Sequence, residues 1–234
     1  MKKIEENYNL NIDYKVIFKD WTHYLNKLLT SNYMYNLMIF VQESYKFKFI
    51  YPKDKNSLFK PFSSIKFQDV RVIIISDEPY QNTVNNGIPI ANKTSFFELE
   101  RGLNKVERNI EKNHYDGLNL YMDSTLKHWY EQGILTLYSA FTVERGKKGS
   151  HQIQWRNFTR EIVKALSDNK TGLIFLLWGK EAQEFKSCIN RKVHYILEDN
   201  GPNIDNKLDW NCTHFEDVNK IIEEHNGKEF CIKW

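Results

Sequence analysis

Side chains able to do chemistry gather in a few short polar stretches of this 234-residue chain. Ser76-Asp77-Glu78-Pro79-Tyr80-Gln81 brings together two carboxyls, an aromatic hydroxyl and an amide. Glu198-Asp199-Asn200-Gly201-Pro202 is a second acidic turn, and shorter ones read Tyr138-Ser139-Ala140 and Trp178-Gly179-Lys180. Glu144-Arg145-Gly146-Lys147-Lys148-Gly149-Ser150-His151 is a compact positive cluster whose glycines allow close backbone approach. That combination suits phosphate contact, although a solvated charged loop has the same composition. Metal chemistry is not indicated. Cys188, Cys212 and Cys231 form no CxxC pair and read as reduced thiols. His23, His114, His128, His194, His214 and His225 pair with neither cysteine nor carboxylate at ligand spacing. No metal and no cofactor is expected.

The elements that must position these turns follow from periodicity. Val70–Ile75, Gly133–Leu137, Gly172–Leu177 and Val193–Leu197 are apolar runs with no polar face, as expected of parallel strands covered on both sides. Helical spacing marks two helices between Trp21 and Phe49, separated near Thr30-Ser31-Asn32. Further helices are predicted over Phe96–Ile110, Trp155–Leu166, Glu181–Cys188 and about Glu216–Glu224. Strand–helix alternation predicts a three-layer α/β/α sandwich on a central, mostly parallel four-stranded sheet. Each polar turn follows a strand. In such sheets ligands sit beyond the carboxyl ends of the strands, which nominates the four turns as walls of one site. Polar turns also follow strands that bind nothing.

Composition narrows the classes. The 34 aromatic residues (6 Trp, 13 Tyr, 15 Phe) are too many for a disordered chain. Net charge is +3, from 33 basic and 30 acidic residues, too balanced to announce a nucleic-acid binder by bulk electrostatics but compatible with a local basic patch. No apolar run approaches the roughly 20 residues of a membrane helix, and Met1–Glu6 leads into no signal-peptide core. The expectation is a soluble intracellular, cytoplasmic protein without membrane contact. Residues 1–20 are polar and read as a loosely attached extension; 21–234 read as a single domain.

Taken in order, the motifs resemble the uracil-DNA glycosylase family. Ile50-Tyr51-Pro52 and Asp69–Ile75 resemble that family's lead into its water-activating loop. Ser76–Gln81 stands where the family has Gly-Gln-Asp-Pro-Tyr-His, and Gly87-Ile88-Pro89-Ile90-Ala91 where it has Gly-Leu-Ala-Phe-Ser. Leu126–Leu135, Phe141-Thr142-Val143, Ser150-His151 with Trp155, Phe175–Gln183 and Cys212-Thr213-His214-Phe215 also match. The similarity covers roughly residues 21–234. It implies the sandwich fold and the hydrolysis, without a metal, of an N-glycosidic bond to a base flipped out of DNA.

The resemblance also assigns roles. The family's water-orienting aspartate falls at Glu78, one methylene longer. Its histidine, which bonds the departing base, falls at Gly201, which has no side-chain donor. The base pocket falls at Asp77, Tyr80, Gln81, Ile90 and Tyr138. Tyr80 is retained; Gln81 replaces a histidine, Ile90 the stacking phenylalanine, and Tyr138 the asparagine that reads the amide edge of uracil. The family's phosphate-gripping serines fall at Ser95, Ser150 and Asn203, with Leu208 in place of the intercalating leucine, and the charge of the basic loop adds Arg145, Lys147, Lys148 and His151 as candidate DNA contacts.

Losses concentrated at one site predict a catalytically impaired homologue acting as a DNA-binding or protein-interaction module. A replication or repair partner is implied, because poxviral relatives serve as polymerase processivity components. The alternatives are an active DNA glycosylase of altered base specificity, with Glu78 orienting the water, and a protein-only interaction module.

Overall fold

Four apolar runs pair into one parallel sheet, and the rest of the chain is arranged by what that sheet must bury. The computed structural model describes residues 12–81, 85–91, 101–114, 123–202 and 210–234. Its sheet has the order β3-β2-β5-β6, formed by β2 (Val72–Ser76), β3 (Ile134–Tyr138), β5 (Ile174–Trp178) and β6 (Tyr195–Asp199). Val72 lies opposite Ile134 and Ile174, and Ile174 opposite Tyr195. Every residue of β2, β3 and β5 is buried, while β6 is an edge strand with its residues half-buried or exposed. The expected strands are all present, displaced by one or two residues toward their polar ends. Val70 and Leu173 are buried before pairing begins, whereas pairing continues into Ser76, Tyr138 and Asp199. Burial and pairing are separate demands, and an apolar run reports only the first.

Helices cover the sheet to give the α/β sandwich. One layer holds α1 (Tyr14–Phe18), α2 (Trp21–Leu29), α3 (Asn32–Phe47), α4 (Lys60–Ser64) and α7 (Gln152–Asn169). Its core is aromatic: Phe18 stacks on Phe62 at 4.6 Å, and Trp155 meets Phe141 at 5.2 Å. α7 buries Trp155, Phe158, Thr159, Ile162, Val163 and Leu166, a stripe at three- and four-residue spacing. A second aromatic cluster lies around α6 (Lys127–Glu131) and α9 (His214–Asn226), where Trp178 meets Trp210 at 4.8 Å and Phe215 meets Trp234 at 4.8 Å. α5 (Arg101–His114) packs on α9, and the short α8 (Lys180–Gln183) follows β5. Among the described residues no helix is long and apolar enough to cross a membrane.

Two features depart from expectation. Residues 12–20 are anchored: Asp13 caps α1 through the amides of Lys15 and Val16, and Phe18 is fully buried. The short apolar run Val16-Ile17-Phe18 is too brief to show a helical period. The second is an antiparallel ribbon of β1 (Ile50–Tyr51) and β4 (Val143–Glu144), with Ile50 opposite Glu144. Two-residue strands are too short to show alternation, yet this ribbon roots the basic loop.

Candidate functional site

Strand register brings the four turns to one edge of the sheet. Ser76 ends opposite Tyr138, and Trp178 opposite Asp199. The Ser139 amide donates to the carbonyls of Ser76 (2.8 Å) and Asp77 (3.0 Å), tying the first turn to the second. The Gly179 amide donates to the Asp199 carbonyl at 2.9 Å, tying the third to the fourth.

The first turn holds the basic loop. Glu78 Oε2 accepts from the Gly149 amide at 2.7 Å, Gln81 Oε1 from the Gly146 amide at 2.5 Å, and Lys148 Nζ lies 3.4 Å from Asp77 Oδ2. Burial pushes the Glu78 carboxyl up to about 7, against the downward pull of the Gly149 amide and Lys148. Burial also raises Asp77; Lys148 opposes this, and the nearby Glu181 carboxyl reinforces it. Asp77 Oδ1 has no donor partner. The Glu181 carboxyl can bond to it only when one of the two carries a proton. Gly179 makes room for this arrangement: a Cβ there would lie 2.6 Å from Asp77 Oδ1, and its φ is +102°. Gly179 lies in a nominated turn, Gly149 in the basic loop and Glu181 in a quoted motif, but none of the three was expected to meet the Asp77 and Glu78 carboxyls.

The loop itself is stiffened from below. Glu144 bonds Lys147 at 2.6 Å and Lys48 at 3.1 Å, and its amide donates to Ser150 Oγ at 2.9 Å. Arg145, Lys147 and Lys148 are exposed and Ser150 is half-buried. His151 differs from these. It is 1% exposed, edge-on to Phe40 at 4.7 Å, with Nδ1 2.8 Å from Thr142 Oγ1, which accepts from Trp155 Nε1 at 2.7 Å. Burial drives its pKa down to about 4, so it is neutral near pH 7. Expected to contact DNA, His151 instead packs the base of the loop.

Of the expected pocket residues, Tyr80 is half-buried while Ile90 and Tyr138 are buried. Asn85 links two of them: its Nδ2 donates to the Tyr80 carbonyl at 3.2 Å and lies 3.5 Å from Tyr138 Oη. Asn85 Oδ1 accepts from the Gly87 amide and Asn86 Oδ1 from the Ile88 amide, two overlapping Asx turns. The Asn-Asn-Gly signal marks a turn but not this bridge. Ile90 follows with φ +60°, a region that β-branched residues rarely enter. Holding it there costs about 1–3 kcal/mol.

Gly201 stands at φ +80°, its amide donating to Asp199 Oδ1 at 2.8 Å. A Cβ there would meet Trp178 Cβ at 3.1 Å and its carbonyl carbon at 3.3 Å. Ser95, Asn203 and Leu208 lie outside the described residues. Among the described residues no group of three His, Cys, Asp or Glu side chains could hold a metal ion.

A parallel sheet with a half-buried, loop-capped carboxylate at its carboxyl edge defines an α/β protein with a candidate site at the strand ends. The chain belongs to the uracil-DNA glycosylase family. The uracil-DNA glycosylase of Mycoplasmopsis pulmonis is 34% identical to it over 218 residues, which cover 92% of this chain and 96% of that protein. That of Borreliella burgdorferi is 31% identical over 216 residues, covering 90% and 95%. That of Aliarcobacter butzleri is 34% identical over 196 residues, covering 81% and 88%. In fold, the chain is similar to the crystal structure of mimivirus uracil-DNA glycosylase, with TM-score 0.82 and 20% identity over 99% of this chain and 93% of that one. No family model matches the chain.

Proposed function

We propose that this chain is a DNA glycosylase that hydrolyses the N-glycosidic bond of a base in DNA. In this reading Glu78 orients the attacking water, and Tyr138 and Ile90 reshape the base pocket. The observation that carries the proposal is the Glu78 carboxyl: it is half-buried at the end of β2, held at 2.7 Å by the Gly149 amide and raised to about 7. Near-neutral poise suits a carboxyl that must hold a water and, as an anion, face the positive charge growing on the sugar. Arg145, Lys147 and Lys148 are exposed beside it to meet phosphates. Ser95, Ser150, Asn203 and Leu208 complete the proposed DNA contacts. Relatives named uracil-DNA glycosylase at 31–34% identity over most of their length support the glycosylase class.

Base specificity and speed differ from those of a uracil-directed site in this reading. A tyrosine hydroxyl at position 138 cannot reproduce the paired donor and acceptor of an asparagine amide. Gly201 offers the departing base no side-chain donor, a loss worth roughly 10²–10³-fold in rate by analogy with oxyanion holes. The same glycine supports a second reading, a catalytically impaired family member that holds DNA without cutting it.

The test is an excision panel. Oligonucleotides bearing uracil or modified bases are incubated with the protein, and abasic sites are revealed by alkali. The expected result is slow release of at least one base, abolished by Glu78→Gln with DNA affinity retained. Absence of release across the panel, with DNA still bound, leaves the impaired module as the function.

A further inference from the structure

The segment Lys46-Phe47-Lys48-Phe49 runs from the last residues of α3 to the start of β1, and all four of its residues are exposed. Phe47 is 73% and Phe49 77% exposed, in a chain that buries most of its phenylalanines. Leaving two such rings in water forgoes the favourable burial that the buried phenylalanines obtain. Neither ring packs on another aromatic among the described residues, and Lys46 Nζ lies 5.4 Å from the Phe47 ring centroid. The Arg145 amide donates to the Phe49 carbonyl at 2.8 Å, so this segment abuts the basic loop across the β1–β4 ribbon. Residues 46–49 and 144–150 together hold five cations (Lys46, Lys48, Arg145, Lys147, Lys148) against one carboxylate, Glu144. The patch is continuous with the candidate site, because the same loop meets Gln81 through Gly146 and Glu78 through Gly149.

We infer that Phe47 and Phe49 form a stacking platform for single-stranded nucleic acid, with Lys46 and Arg145 on its phosphates. Exposed rings alternating with lysines offer π-faces to bases and charge to the backbone, the two demands of sequence-tolerant single-strand binding. The net positive charge of the surface argues for a polyanion over a second copy of this chain, which would set like charges together. The platform does not depend on Glu78 acting, so it stands or falls apart from the glycosylase reading.

The experiment measures fluorescence anisotropy of labelled oligo(dT) and of an equally long abasic chain, titrated with the full chain at several salt concentrations. Oligo(dT) binds more tightly than the abasic chain. Phe47→Ala/Phe49→Ala weakens oligo(dT) binding at least fivefold, the low end of one base–aromatic stack, and leaves the abasic chain unaffected. Lys46→Ala/Arg145→Ala weakens both probes alike and flattens the salt dependence. Because these side chains are exposed, all variants keep the parent melting temperature. Three outcomes overturn the inference: equal affinity for the two probes, no effect of removing the rings, or a concentration-dependent dimer that loses its stability when they are removed. Glu78→Gln run alongside loses base release while keeping the oligo(dT) preference, so the two readings fail separately.

Discussion

Gly149 donates its amide to Glu78 at 2.7 Å across 71 residues of sequence, making the basic loop and the acidic strand-end turn one unit. Gly146 with Gln81 and Lys148 with Asp77 extend the same seam. Any motion of the loop therefore moves the carboxyl, and DNA engaging the lysines acts on the group proposed to hold the water.

The first consequence is a pH profile. With Glu78 raised to about 7, only its ionised fraction serves, so base release climbs with pH and levels off above about 7. Lys148 pulls that value down. Lys148→Met moves the midpoint of kcat to higher pH, and an unmoved midpoint assigns the titration to another group.

Stability responds in the opposite sense. A carboxyl whose folded value exceeds its usual 4.5 penalises folding once ionised. The penalty is absent at low pH, grows between about 4.5 and 7, and is full above. Discounted for partial exposure to about 1 kcal/mol, its removal in Glu78→Gln raises the melting temperature by about 2–4 °C at alkaline pH. No change is expected near pH 4, and calorimetry at the two pH values checks the difference.

At Gly201 a side chain meets both a left-handed backbone and Trp178. Gly201→Ala lowers unfolding free energy by about 1–3 kcal/mol in denaturant melts. Gly201→His is destabilised at least as much and gains no base release. A stable, faster histidine variant would mean that the turn adapts and that only the donor is missing.

Tyr138 separates shape from chemistry. Tyr138→Phe keeps the ring edge-on to Phe141 and loses only the hydroxyl facing Asn85, costing about 0.5–1.5 kcal/mol. Tyr138→Asn vacates buried volume and costs about 2–4 kcal/mol. It also restores an amide edge, so release of uracil rises relative to other bases, as competition between mixed oligonucleotides would reveal.

What could be foreseen divides along the range of the interactions. The sheet was legible because Val72–Ile75 and Leu173–Leu177 are unbroken apolar runs, and the four turns were placed because parallel strands must end at a common edge. Glu78 and Tyr80 were singled out as candidates because they sit within a contiguous motif. Gly149 and Glu181 were not, because their partners lie tens of residues away, and Asn85 was not, because its local bonds are those of an ordinary turn and only its approach to Tyr138 spans the fold. His151 was read as a DNA contact from its position beside the lysines. Its burial depends on Phe40, 111 residues earlier, which no local pattern ties to it.

That hidden imidazole gives the molecule an acid fault line. From its ordinary 6.5 down to about 4 the unfolded chain takes up a proton that the folded one refuses, so acidification weakens the footing of the loop even as it relieves the penalty at Glu78. The seam along Gly146 and Gly149 should open first, visible as early loss of amide-exchange protection there. The basic loop that flanks the proposed nucleic-acid platform would then loosen in acid before the sheet does.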